Sequence, residues 1–142
     1  METGTGFKLS DLNEGMSLPL LKKTITQENI NLYAQVSRDF NPIHIDEAFA
    51  KKTPLGGTIA HGMLILAYAS QMMTAAFGCN WLTGGKISVR FRNPARPGDI
   101  ITVSGKVVNI EKGETETLVN CGIICQNQNG ESIITGETSV RM

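Results

Sequence analysis

Histidine is scarce in this chain: two residues, His44 and His61, among 142. Any chemistry that needs an imidazole must therefore use one or both. Cysteine is nearly as rare. Cys79, Cys121 and Cys125 are an odd number without a metal-ligand pattern, which argues against a disulfide or zinc framework. Cys121 and Cys125 fall in a β-like run, where they are expected to behave as small buried hydrophobes. Neither sign of charge dominates: Lys plus Arg and Asp plus Glu stand at 13 each. Nothing in that balance invites nucleic acid or an acidic membrane as a partner. With 41% hydrophobic residues the chain can build a core rather than remain disordered. Repeats, linkers and low-complexity tracts are also lacking, so one domain over residues 1–142 is expected.

Long hydrophobic runs are missing too. The most apolar stretch, HGMLILAYASQMMTAAFG from His61 to Gly78, is interrupted by Ser70 and Gln71. Its uninterrupted part falls short of the ~20 residues that span a bilayer. A helix this apolar and this short is expected inside a protein. The start, METGTGFKLSDLNEGM, lacks the basic end and apolar centre of a signal peptide, which predicts a cytoplasmic location.

What is present falls into two halves. EGMSLPLLKKTI reads as extended. TQENINLYAQVSRD reads as a helix capped by Thr26, with Ile30, Tyr33, Ala34 and Ser37 at helical spacing. Asn41-Pro42 breaks it, because the residue before proline is pushed out of the α region. Asp46 can cap a short helix, EAFAKK, ended by Pro54 and the Gly56-Gly57 pair. The central apolar helix then runs from Ile59 or Gly62 to Ala76, with Gly78 as its stop. Beyond it the period changes to two: Ile87, Val89 and Phe91 alternate with Lys86, Ser88, Arg90 and Arg92. Further strands are predicted in IITVSGKVVNIE, TETLVNCGIICQNQ and SIITGETSVRM, joined by tight KGE and NGE connections. An antiparallel sheet curled around one buried helix, an α+β architecture, accommodates both halves.

The chemistry-bearing residues gather in SRDFNPIHIDEAF, Ser37 to Phe49. Asp39 and His44 are five residues apart with a proline between, so they cannot share one helix face. A loop doubling back at Asn41-Pro42 could bring both tips to one point. On spacing alone the plainer alternative has the advantage: Asp39 ends the helix and His44 packs with a bonded tip. A second group is LGGTIAHGM, Leu55 to Met63, with two glycines, a capping Thr58 and His61-Gly62 at the mouth of the apolar helix. The first turn of a helix offers unpaired N–H groups and a positive dipole end, and Gly62, lacking Cβ, lets a ligand oxygen approach closely. These glycines could equally serve only to turn a corner. A metal site from both histidines lacks zinc-like spacing, and no G-x-S-x-G elbow is present. Ser70 could simply bond back to a carbonyl one turn earlier.

Together, D-F-N-P-I-H-I-D followed by G-T-I-A-H-G-M closely resembles the hydratase motif of the MaoC-like, (R)-specific enoyl-CoA hydratase family. The match is dense over some 35 residues and looser through ISVRFRNPARPGDIITVSGKV. The resemblance implies a hot-dog fold and the reversible hydration of trans-2-enoyl thioesters. It makes Asp39 and His44 the catalytic pair, the N–H of Gly62 the oxyanion hole, and Asn41 and Ser70 supporting residues. His61 also matches the motif and reads as structural, positioning the helix start. The implied substrate is an acyl-CoA or acyl-carrier-protein thioester of fatty-acid metabolism, with no cofactor and no metal. A homodimer, or an assembly of dimers, is implied as well. Arg90 and Arg92 read as a solvated strand face. A non-catalytic acyl-thioester-binding subunit of a hot-dog heterodimer and a hot-dog thioesterase are the alternatives; retention of both Asp39 and His44 favours the enzyme over the silent subunit, and a thioesterase does not call for that spacing.

Overall fold

In the computed structural model residues 6–142 are described. Met1–Thr5, part of the stretch read above for a targeting signal, lie outside the described residues. Strand β1 spans Leu21–Thr24, followed by helices α1 (Gln27–Ser37), α2 (Pro42–Ile45), α3 (Glu47–Lys51), α4 (Gly62–Phe77) and α5 (Cys79–Gly84). Strands β2 (Gly85–Phe91), β3 (Ile100–Lys112), β4 (Thr117–Gln126) and β5 (Ser132–Arg141) complete the chain. All pairings are antiparallel, in the order β1-β3-β4-β5-β2. Only the end of the expected amino-terminal extended piece joins the sheet as a strand. Ser17 adds a single bridge to Lys106.

Helix α4 lies against β1, β3, β4 and β5, as the hot-dog arrangement requires. Leu64, Ile65, Ala69, Met72, Met73, Ala76 and Phe77 are buried in that contact. The expectation of burial on nearly every side needs one correction. Met63, Ala67, Gln71 and Ala75, spaced four apart on one stripe, are exposed, because the sheet wraps the helix without closing over it. Strand β4 alternates without a break, its buried face formed by Thr117, Val119, Cys121, Ile123 and Cys125. Both cysteines are free and buried, and burial pushes the Cys125 thiol up to about 12. They serve as core hydrophobes, as read from the sequence.

Local capping follows the sequence at two of three sites. Thr26 Oγ1 accepts from the Asn29 N–H at 3.1 Å, and Asp46 Oδ1 from the Phe49 N–H at 3.0 Å. Thr58 does not cap α4. That position is held by His61, which makes no side-chain cap bond, while the Thr58 hydroxyl turns toward Gln27 and Glu47. Two short helices, α2 and α5, are additions to the sequence reading. Pro42 at the first position of α2 starts its turn, since the missing N–H would be unpaired there anyway. Among the described residues no helix is long and apolar enough to cross a membrane.

Candidate active site

The turn that carries the site begins with a backbone irregularity. Arg38, the C-cap of α1, is the non-glycine residue with positive φ among the described residues (φ 65°, ψ 18°). This left-handed residue ends α1 and redirects the chain into Asp39. The Asp39 Oδ1 accepts from the Asn41 N–H at 3.2 Å, and the Asn41 Oδ1 accepts from the Ile43 N–H at 3.2 Å. Asn41 thus caps α2 with its side chain, while its carbonyl accepts from the His44 N–H at 2.9 Å. One asparagine is bonded to both members of the sequence-predicted pair, and a third bond, to Ile43, fixes the turn between them.

The result is that Asp39 and His44 do meet. His44 Nε2 lies 3.9 Å from Asp39 Oδ2, with the imidazole almost fully buried and the carboxylate half exposed. His44 Nδ1 faces the Ile59 carbonyl at 2.8 Å. A carbonyl can only accept, so Nδ1 carries a proton, and in the neutral ring Nε2 presents a lone pair to Asp39. The same Ile59 donates its N–H to the Ile43 carbonyl at 3.1 Å. These two bonds tie α2 to the segment that leads into α4.

Gly62 is the first residue of α4, where an N–H has no acceptor within the helix. A Cβ added to Gly62 would come 2.8 Å from Phe91 Cε1, so the aromatic ring at the end of β2 rests directly on it. Beside this glycine opens an apolar cleft of about 410 Å³ whose walls include Leu55, Ile59, Phe91, Pro94 and Ala95. Ser70 sits two turns further along α4, about 12 Å from Gly62 at 1.5 Å per residue. Its hydroxyl accepts from the Trp81 indole N–H at 2.9 Å rather than bonding back along the helix. None of the described hydrogen bonds joins it to Asp39 or His44.

Several neighbours were beyond the reach of local sequence patterns. Gln27 Nε2 donates to the His44 carbonyl at 2.8 Å and to Asn31 Oδ1 at 2.9 Å, while its Oε1 accepts from the Thr58 hydroxyl at 2.7 Å. Glu47 Oε2 accepts from the Thr58 N–H at 3.0 Å, and that backbone bond is the main reason its carboxyl is held below the usual value. His61 lies with its ring stacked on His44, centroids 3.8 Å apart and planes inclined by 27°. Its Nε2–H donates to the Asp39 carbonyl at 3.0 Å. Burial, the largest influence, lowers the His61 pKa below 6.5.

Asp39, His44 and His61 bring potential ligand atoms within 4.8 Å of one another. A metal must lie in the plane of each imidazole that binds it. Two rings stacked nearly face to face have no such common point at bonding distance, so this pair does not fit one ion. What the arrangement can do is hold a small polar molecule between a carboxylate and an imidazole lone pair, beside a helix-start amide and an apolar cleft.

A hot-dog protein with a carboxylate–imidazole pair set against the start of its central helix is the class that fold and geometry define. The chain belongs to the MaoC-like domain family, whose model matches residues 13–128. It is 30% identical over 138 residues to a 3-hydroxybutyryl-CoA dehydratase of Methylorubrum extorquens, covering 93% of this chain and 82% of the relative. An (R)-specific enoyl-CoA hydratase of Rhodospirillum rubrum is 34% identical over 136 residues, covering 92% and 88%. The solved structure of an R-hydratase from Pseudomonas aeruginosa superposes with a TM-score of 0.79 at 28% identity, over 92% of this chain and 82% of that one.

Proposed function

We propose that this protein is a hydro-lyase that adds water to trans-2-enoyl thioesters, giving (R)-3-hydroxyacyl thioesters, and catalyses the reverse dehydration. The observation that carries the reading is the gap between Asp39 Oδ2 and His44 Nε2. At 3.9 Å it is too wide for a direct hydrogen bond. One water at about 2.8 Å from each atom fits it, donating one hydrogen to the carboxylate and the other to the imidazole lone pair.

The reaction follows from the parts. The thioester carbonyl, conjugated to the double bond, accepts from the Gly62 N–H. As the water oxygen bonds to Cβ, the π electrons move onto the thioester oxygen, which the amide at the positive helix end stabilises. The pair takes one proton from the water and returns it to Cα as the carbonyl re-forms. Atoms and charge balance without any cofactor. Because one pair on one face handles both the water and the proton, addition is syn. The acyl chain occupies the apolar cleft next to Gly62, with Phe91 as one wall. A coenzyme A or acyl-carrier-protein thioester serves as the carrier. The exposed stripe Met63–Ala67–Gln71–Ala75 on α4 and the unpaired edge of β2 support pairing of two copies into a dimer.

Crotonyl-CoA tests the assignment. Loss of enoyl absorbance with formation of the (R)-3-hydroxy product supports it. Release of free thiol identifies a thioesterase, and binding without turnover across short and medium acyl chains identifies a silent acyl-binding subunit.

A further inference from the structure

We propose that His61 is a positioning residue that locks the Asp39–His44 pair to the start of α4, so that the pair and the Gly62 amide hold one fixed geometry. This rests on the hydratase reading above and goes beyond it, since the helix start itself gains nothing from the His61 side chain. Stabilising N-caps are Ser, Thr, Asp or Asn, whose oxygens accept from the first-turn amides. His61 occupies the N-cap without any side-chain cap bond.

Its contacts point instead at the reacting groups. The Nε2–H donates to the Asp39 carbonyl at 3.0 Å, fixing the backbone just past the left-handed Arg38. Its ring covers one face of His44 at 3.8 Å. With His44 Nδ1–H held by the Ile59 carbonyl, that stack leaves His44 Nε2 aimed at Asp39. Tyr33 packs at 4.8 Å from the His61 ring, 58° inclined, closing the site from α1. The His61 carbonyl accepts from the Leu64 and Ile65 N–H groups, and its own carboxyl side is the peptide bond to Gly62. One side chain and its backbone therefore touch Asp39, His44 and the amide-bearing turn.

The same residue carries a cost that stability would remove. His61 is 2% exposed, and its Nδ1 is buried with no hydrogen-bond partner among the described residues. Buried polar atoms are rarely left unpaired, and an exception asks for a reason. Here the reason is the donor on the opposite side of the ring. With Nε2–H committed to a carbonyl, the lone pair must fall on Nδ1. Burial, outweighing the bond to the Asp39 carbonyl, favours the neutral ring, so it orients the acid–base pair without competing in the proton transfer.

Two variants and one spectrum decide the matter. His61→Phe keeps the stacked shape and removes both the donor and the unpaired acceptor. We expect kcat for crotonyl-CoA to fall on the order of 10- to 100-fold, the size of a misplacement effect, with KM little changed and the thermal midpoint equal or higher. His61→Gln, whose amide N–H can reach the same carbonyl, regains part of the loss. Long-range ¹H–¹⁵N spectra of the substrate-free protein should show His61 as the neutral Nε2–H tautomer and His44 as the Nδ1–H tautomer. Full kcat in His61→Phe overturns the proposal, as does a loss equal in both variants that merely tracks the folded fraction. An Nδ1–H or charged His61 at neutral pH overturns it as well. If the wild-type chain hydrates no enoyl thioester while the spectra are as expected, the hydratase reading fails and the lock stands.

Discussion

His44 Nε2 and Asp39 Oδ2 face each other across 3.9 Å, close enough to share one water and too far apart to bond to each other. Five residues of sequence achieve this because Arg38 turns left-handed and Asn41 pins both sides of the bend.

Removing either member of the pair removes a proton-handling group from a local turn, a half-exposed carboxylate in one case and a ring stacked on His61 in the other, and leaves the sheet and α4 in place. Asp39→Asn and His44→Gln are each expected to lower crotonyl-CoA hydration by about 10²–10⁴, the usual contribution of a positioned acid–base group. Far-ultraviolet circular dichroism and the oligomeric state should match the wild type. Retention of most of the turnover in either variant would remove the assignment.

Gly62→Ala tests the crowding at the helix start. The new Cβ would lie 2.8 Å from Phe91 Cε1, so the ring must move, and the methyl also stands where the thioester oxygen approaches. Activity should fall by about 10²-fold, comparable with the loss of one oxyanion donor. The double variant Gly62→Ala/Phe91→Ala relieves the contact with the ring but not the blocked approach. Its thermal midpoint should therefore recover more than its kcat.

Asn41→Ala removes the side-chain cap of α2. A lost cap costs about 1 kcal/mol, which for a chain of this size lowers the thermal midpoint by roughly 3 °C. A larger fractional loss in kcat is expected, because the same bonds set the Asp39–His44 gap. Equal effects on both would make Asn41 a turn residue only.

The buried His61 predicts a pH dependence of stability. Its folded pKa is lowered relative to the ordinary 6.5, chiefly by burial. Below pH 6.5 the unfolded chain gains a proton there that the folded chain does not hold. Stability is therefore complete above that value and declines as pH falls toward the depressed folded value. Denaturant unfolding from pH 8 to 5 should show this slope in the wild type and a shallower one in His61→Phe. Identical slopes would remove His61 as the source.

Thiol titration reads the two environments of cysteine. Cys79 is exposed, while Cys121 and Cys125 are buried with raised pKa values. One thiol should react with a neutral-pH reagent in the native protein and all three after unfolding.

The strands, α4 and the caps at Thr26 and Asp46 were legible because they depend on periods and short-range bonds that a sequence displays directly. The four-residue α2 is too brief to show a period, and Pro42 reads first as a break. Cys79–Gly84 has no capping residue, and Gly84-Gly85 looks like a turn before β2. Thr58 looked like a cap because it precedes a helix by a few residues; its true partners, Gln27 and Glu47, lie 31 and 11 residues away. The pairing of Asp39 with His44 was readable only through family resemblance, since spacing alone favoured an idle histidine. The stacking of His61 on His44 is a tertiary contact, and no local pattern announces it.

The Ile59 contacts that fasten α2 to the entrance of α4 have a consequence for how such a protein can change. Asp39, His44 and the Gly62 amide ride together on one clamp of loop and helix. The walls of the apolar cleft proposed to hold the acyl chain come partly from elsewhere, Phe91 from β2 and Ile133 from β5. Chain-length preference can therefore be rewritten by substitutions on two strands while the reaction itself stays untouched, so the same chemistry can be refitted to new substrates without being rebuilt.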